Sequence, residues 1–256
     1  MNLPLLQVKD VSYTYHTKAG ETPALSHISF SVFPGEFIAI VGPSGCGKST
    51  LLDMLCGLLK PSYGNLLLNG APLAKSETNI GYMLQKDHLL EWRNIYNNVL
   101  LGLEIQKKAT PEAKEHVENL LEDYGLEKFK YARPSQLSGG MRQRAALIRT
   151  LALDPDLLLL DEPFSALDYQ TRLSVSDDIG SIIRKERKTA ILVTHDISEA
   201  ISMADRVIIF SNRPASVKAM VDITFSIQER TPLSSRNAPE FKTYFNKIWK
   251  ELNVHD

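Results

Sequence analysis

The chain has 256 residues, with 29 lysines and arginines against 30 aspartates and glutamates, a formal net charge of -1. That length suits one large α/β domain or two modest ones, and it can bury a full core. The even balance argues against a nucleic-acid binder driven by bulk charge, although a local basic face stays open.

The opening residues 1–7 carry neither a basic region nor a long apolar one. No run anywhere approaches the roughly 18 apolar residues of a membrane span. A cytoplasmic protein is expected, with any membrane role supplied through a partner. Residues 6–15 alternate apolar and polar side chains and read as a strand ending at Tyr15. The Tyr15 ring is placed either to stack on an adenine or simply to close a sheet. Residues 17–22 are polar with a glycine and read as a turn, residues 24–32 as a second strand, and Pro34-Gly35 as a tight turn. Two β-rich pieces ahead of a βα unit predict an antiparallel sheet beside a parallel one.

The next stretch, Phe37-Ile38-Ala39-Ile40-Val41, is an apolar run that reads as a buried parallel strand. Gly42, Pro43, Ser44, Gly45, Cys46, Gly47, Lys48, Ser49 and Thr50 follow, and then an apolar helix start. Strand, glycine loop and helix in that order are the context of a phosphate-binding loop. Glycines let the backbone turn sharply and approach phosphate oxygens closely. The loop amides and the helix N-terminus point partial positive charge at the phosphates. Lys48 adds a full charge there, and the Ser49 hydroxyl is placed to bind Mg²⁺. Cys46 in this loop and Cys56 in the helix are the two cysteines. A disulfide between them would distort both elements, so free thiols and a reducing compartment are expected. Cys46 reads either as a reactive thiol near a helix N-terminus or as an inert small residue.

Residues 57–64 break the pattern, residues 65–68 read as a short strand, and Asn69-Gly70 as a hairpin turn. Residues 80–84 form a strand ending in Gln85, which is either a Mg²⁺ or water contact or a surface glutamine. From residue 86 to 137 two helical stretches dominate. In the second, Thr110 caps, Pro111 takes the first helical position, and Val117, Leu120, Leu121 and Tyr124 share a face before Gly125. Trp92 fits a buried anchor or a partner-facing aromatic. Ser138 can cap the helix that begins with Gly139 and Gly140. Two glycines there weaken a helix by about 1 kcal/mol each, so an anion-binding helix start competes with an ordinary glycine-rich turn.

Leu157-Leu158-Leu159-Leu160 is too short for a helix and fits a central parallel strand. It ends in Asp161-Glu162, two carboxylates at the strand end where ligands bind in open α/β sheets. Asp161 would hold Mg²⁺, and Glu162 would polarise an attacking water. Ser165, Ala166, Leu167 and Asp168 lead into a charged amphipathic helix that runs to residue 188. Residues 189–194 form another strand ending at His195, and Asp196 with Glu199 resembles a capping box. Residues 206–210 read as the last strand. Beyond it, Phe241, Tyr244, Phe245, Ile248 and Trp249 lie at helical spacing and are expected to dock on the core.

Taken together, these motifs resemble the ATP-binding subunit of ATP-binding-cassette (ABC) transporters over roughly residues 6–212. Gly42 to Thr50 matches the Walker A motif, and residues 157–162 match the Walker B motif with its catalytic glutamate. Leu137-Ser138-Gly139-Gly140-Met141 matches the family signature, with Met141 where glutamine is usual. Residues 165–168 match the D-loop, Gln85 the Q-loop, His195 the switch histidine and Tyr15 the adenine-stacking aromatic. The resemblance implies an α/β fold: a P-loop NTPase core of mixed sheet with flanking helices, an antiparallel β subdomain and an inserted α-helical subdomain. Residues 1–85 and 151–212 are expected to form the ATP-binding core, 86–150 the helical signature subdomain, and 213–256 a short segment on the core.

The implied cofactors are ATP and Mg²⁺. Glu162, His195 and Lys48 would carry the chemistry. Ser49, Gln85 and Asp161 would hold the metal. Tyr15, the Gly42–Thr50 loop, Gln85, Ser138, Gly139, Gly140 and Asp168 would contact nucleotide. The family implies a head-to-tail dimer with a second copy or a homologous ATPase, transmembrane permease subunits, a solute-binding protein and no nucleic acid. It places the chain on the cytoplasmic face of the membrane. The stretch from Gln85 to the Trp92-Arg93 pair is similar to the nitrate/sulfonate/taurine import ATPases. A soluble ABC ATPase usually carries two cassettes or a coiled-coil insertion, and an exporter ATPase is usually fused to its membrane domain. A P-loop kinase would lack the signature and D-loop, and no Asn-Lys-x-Asp motif of a GTPase is present.

Overall fold

The structure, a computed structural model, describes residues 3–18 and 20–253. Strands β1 (Leu6–Thr17) and β2 (Gly20–Val32) pair antiparallel from Leu6↔Val32 to Thr17↔Gly20. The polar stretch 17–22, expected as a turn, is therefore mostly strand. Cross-strand pairs such as Tyr15↔Thr22 and His16↔Glu21 extend the ladder where composition alone suggested a loop. Strand β4 will join this sheet after the first helix. It spans Tyr63–Leu68, pairs with β1, and turns through Asn69 and Gly70 into β5 (Ala71–Pro72). Both turn residues have positive φ, 51° and 78°, as a two-residue hairpin of this twist requires.

The second sheet is built from β3 (Phe37–Val41), β6 (Ile80–Met83), β7 (Leu157–Asp161), β8 (Thr189–Val193), β9 (Arg206–Phe210) and β10 (Val217–Asp222). Its order is β10-β9-β3-β8-β7-β6. The first five named strands run parallel, and β10 pairs antiparallel on β9. The sequence pattern places the last strand at residues 206–210, and the structure adds β10, an edge strand that buries only Val221 and lacks a clear alternation. In contrast β3, β7 and β8 are buried at every position, which fits a sheet covered on both faces.

Alternate residues of these strands feed two separate cores, as the period of two dictates. Ile38, Ile40, Leu159 and Ile191 pack with β1, β2 and helix α1 (Lys48–Leu55). Phe37, Ala39, Leu158, Leu160 and Leu192 pack on the other side, with the helices. Those helices are α2 (Ile95–Ile105), α3 (Pro111–Asp123), α4 (Gly139–Leu151), α5 (Tyr169–Lys185), α6 (Ile197–Met203) and α8 (Phe241–Asn253), while α7 (Pro232–Arg236) packs on α5 and α6.

Helix α3 starts as its sequence requires, with the Thr110 hydroxyl accepting from the Ala113 amide at 3.3 Å, and it stops at Gly125 with φ 69°. In α8, Ile248 is buried and Phe241, Tyr244 and Phe245 pack partly against the core. Trp249 sits at the rim, 55% exposed, with its ring stacked on Phe245. Trp92 is 73% exposed, so it is not a buried anchor. Among the described residues no helix is long and apolar enough to cross a membrane.

Candidate active site

The loop between β3 and α1 closes around the Lys48 side chain. Its ammonium donates to the carbonyl oxygens of Gly42 at 2.9 Å and Pro43 at 3.0 Å, and the residue is almost fully buried. Gly47 caps α1 with φ 122°, and a Cβ there would lie 2.8 Å from Leu25 Cδ2 and 3.0 Å from the Ala24 carbonyl. Both the backbone angle and the space demand glycine. Tyr15 reaches this loop from β1, its hydroxyl 3.0 Å from Thr50 Oγ1 and its ring edge-on to Tyr13.

Ser49 Oγ donates to Asp161 Oδ1 at 3.2 Å, tying the first turn of α1 to the end of β7. Burial raises the Asp161 carboxyl above its usual range, and the Glu162 and Asp53 carboxylates push the same way, while the Ser49 bond opposes them. A cation bound beside this carboxylate would favour its charged form. The set of oxygen donors here, Ser49, Gln85 and Asp161, suits a hard ion such as Mg²⁺.

Glu162 has φ 43°, a left-handed conformation that costs a non-glycine residue about 1–2 kcal/mol. The strain is held from both sides. Its amide donates to the Val193 carbonyl at 2.9 Å, and its carbonyl accepts from the Ser165 amide at 3.1 Å and hydroxyl at 2.9 Å. The Glu162 carboxylate meets two other candidates. Gln85 Nε2 donates to Glu162 Oε2 at 3.3 Å, and His195 Nδ1 lies 3.1 Å from the same oxygen. A cleft of about 310 Å³ opens between Ser44, Lys48, Ser49, Gln85, Asp161 and Glu162. A larger cavity, about 500 Å³, lies between the end of α3, α4 and α5 and shares no lining residue with this cluster. Volume alone does not locate the chemistry here.

Ser138, Gly139, Gly140 and Asp168 are not among the residues lining that cleft. Ser138 caps α4, its hydroxyl accepting from the Met141 amide at 3.3 Å. A Cβ on Gly140 would lie 2.9 Å from Thr171 Cγ2 and 3.1 Å from Val175 Cγ2. Close packing of α4 on α5 thus leaves room only for glycine at position 140. Asp168 is exposed and caps α5. Hydrogen bonding from the Thr171 side chain, and from its amide at 3.1 Å, holds the Asp168 carboxyl below the usual range.

Two residues at the site escaped the sequence reading. The Tyr82 hydroxyl lies 3.4 Å from both Asp53 Oδ1 and Asp161 Oδ2. Asp53 is four residues after Ser49 and so on the same helix face, a spacing that would have pointed to it. The expected capping box on α6 is only half made. Asp196 accepts from the Ser198 and Glu199 amides, but the buried Glu199 carboxylate accepts from Thr194 Oγ1 at 2.7 Å instead.

Cys46 and Cys56 are free thiols, as expected. The reactive reading of Cys46 is not supported, because Cys46 is 1% exposed and burial raises its thiol pKa despite nearby Lys48. A raised pKa means less thiolate at neutral pH. Iodoacetamide is therefore expected to label Cys46 in native protein at least about tenfold more slowly than in denaturant, read by peptide mass spectrometry. Equal rates would show that the loop opens freely.

The loop lysine, the strand-end Asp161-Glu162 pair and the parallel sheet that carries both define a P-loop nucleoside triphosphatase. Residues 25–165 match the family described as ABC transporter, more than half of the chain. An uncharacterised ABC transporter ATP-binding protein, YtlC of Bacillus subtilis, is 47% identical over 98% of this chain and 96% of its own length. The nitrate transport protein NasD of Klebsiella oxytoca is 38% identical over 83% of this chain and 82% of its own. A dimeric ATP-binding cassette solved in a post-hydrolysis state bound to ADP and Pi superposes with a TM-score of 0.73 at 29% identity. It covers 86% of this chain and 99% of that one. The chain belongs to the ABC transporter family, as an ATP-binding subunit that hydrolyses ATP.

Proposed function

We propose that this subunit drives uptake of a small solute, of nitrate, sulfonate or taurine type, through a membrane permease. The observation that carries this reading is the divided site. Lys48, Ser49, Gln85, Asp161 and Glu162 line one cleft, with His195 in contact with the Glu162 carboxylate, whereas the capped helix start at Ser138-Gly139-Gly140 does not line it. Free amides at a helix start attract anions. A second copy or a homologue, packed head to tail, would bring that helix start and Asp168 to the phosphates held by the first. The similar solved cassette is dimeric.

In this site Lys48 and the loop amides bind the phosphates, and Tyr15 stacks on the adenine. Ser49, Asp161 and Gln85 would hold Mg²⁺, which when bound would neutralise phosphate charge. Glu162 takes the proton of the attacking water, and His195 orients that carboxylate. Closure of the dimer is driven by the differential affinity of ATP for the closed state.

Residues 86–150 serve as the helical unit that meets the permease, and residues 1–85 with 151–212 as the ATP-binding core. Residues 213–256 cover the core. Exposed Trp92 suits a partner contact at that helical surface. The protein would then sit on the cytoplasmic face of the membrane, held by the permease, with a solute-binding protein on the other side and no nucleic acid involved. The 38% identity to NasD, a nitrate transport protein, supports the solute class.

Purification from detergent-solubilised native membranes tests the assignment. A multi-span permease is expected to co-purify in a two-plus-two complex. Recovery only from the soluble fraction, with ribosomes or DNA, would overturn the transport reading and leave the ATPase standing.

A further inference from the structure

The segment that follows Gln85 is fastened to α4 by two arginines, and neither belongs to the motifs that bind nucleotide. Arg142, in the first turns of α4, donates through Nε to Asp87 Oδ2 at 3.1 Å and through a second nitrogen to the Leu137 carbonyl at 3.1 Å. The Asp87 carboxylate is shared, since its other oxygen accepts from the Leu89 amide at 3.1 Å. Two turns further along α4, Arg149 spans two consecutive carbonyls, His88 at 2.8 Å and Asp87 at 2.6 Å. His88 is itself held in a left-handed conformation, φ 45°. Beyond it, fully buried Asn98 accepts from the Leu90 amide and donates to the carbonyls of Leu90, Arg93 and Asn94.

These bonds join two parts of the proposed machinery that lie in different half-sites. Gln85 stands at the Glu162 carboxylate, two residues before Asp87. Leu137 immediately precedes Ser138, the cap of the helix start that faces the partner's phosphates in the proposed dimer. One guanidinium therefore touches the loop behind Gln85 and the first residue of the signature stretch. Arginine alone provides this fork, with planar donors fixed in direction. Lysine would reach only one of the two acceptors well.

We propose that Arg142 is a positioning residue: through Asp87 it fixes the anion-binding start of α4 relative to Gln85, so that each copy's own nucleotide site sets the helix start it offers to its partner. The inference rests on the composite dimer proposed above. Arg142 contacts no residue of the Lys48 cleft, so its loss leaves nucleotide binding by a single copy intact. What is lost is the preorganisation of the partner-facing surface, and with it dimer affinity.

The test uses a Glu162→Gln parent, in which ATP-dependent dimerisation is followed by analytical ultracentrifugation and monomer binding by a fluorescent ATP analogue. Adding Arg142→Met is expected to weaken the dimer about tenfold, the worth of a charge-assisted hydrogen bond, with analogue binding unchanged within about twofold of the parent. Asp87→Asn, which keeps the bond from Leu89, is expected to weaken the dimer in the same direction. The double variant should be no weaker than the worse single one, because both changes break one link. Arg142→Lys should recover only part of the loss. A full-strength dimer with Arg142→Met, or additive losses in the double variant, would overturn the role of Arg142 alone. A parent that stays monomeric with ATP would overturn the composite dimer, and the inference with it.

Discussion

In a Glu162→Gln protein, ATP is expected to bind as in the wild type while hydrolysis falls by about a thousandfold, within the range lost when a general base is removed. The ATP-held dimer should then accumulate. Glutamine keeps the volume and the two-pronged shape of the side chain, and it has no greater difficulty with the left-handed backbone that Glu162 adopts. Contacts from Gln85 Nε2 and His195 Nδ1 converge on Glu162 Oε2 and so fix the orientation of the carboxylate for proton transfer. An amide cannot accept that proton. Phosphate affinity, in contrast, depends on the loop and on Lys48, which makes its hydrogen bonds to Gly42 and Pro43 and none to Glu162. Phosphate release and size-exclusion chromatography with and without ATP separate the two effects. Wild-type turnover would remove Glu162 from the role of base. Loss of ATP binding would mean instead that the substitution disturbs the cleft as a whole.

Much of this site was legible because its parts are local. A buried strand, a glycine loop and a helix start must be contiguous to form a phosphate cradle, and residues 37–55 spell them out in order. The strand ends were legible for a similar reason. Leu157–Asp161 and Thr189–Val193 are short apolar runs whose last residues must emerge at the same sheet edge.

What escaped was set by distant neighbours. Tyr82 looked like an ordinary strand residue, and only the approach of Asp53 from α1 and Asp161 from β7 gives its hydroxyl a place. Glu199 had the spacing of a capping residue, yet Thr194 at the end of β8 offers a buried partner that outweighs it. Strand β10 carries almost no pattern because it buries little and owes its pairing to β9. For Cys46 the sequence leaves a reactive and an inert thiol both open, and only the folded loop, which buries and desolvates it, selects the inert one.

The second large effect is one that neither variant shows alone. Ser138→Arg and Lys48→Ala are each expected to lower hydrolysis by about a hundredfold or more, the order lost with one key group that stabilises transition-state charge. Ser138→Arg removes the cap of α4 and places a long side chain at the helix start, but it stands outside the Lys48 cleft and should spare ATP binding by one copy. Lys48→Ala should weaken that binding directly. When the two proteins are mixed, part of the activity is expected to return. A mixed dimer pairs the intact Lys48 of the first chain with the intact Ser138 of the second, giving one sound composite site, while its other site carries both defects. Complementation of this kind cannot arise if each chain hydrolyses ATP by itself, because every chain in the mixture is then defective. Turnover measured across mixing ratios should peak where the two variants are equal. Full activity of Ser138→Arg on its own would rule out a shared site, and a flat, low profile across all ratios would do the same.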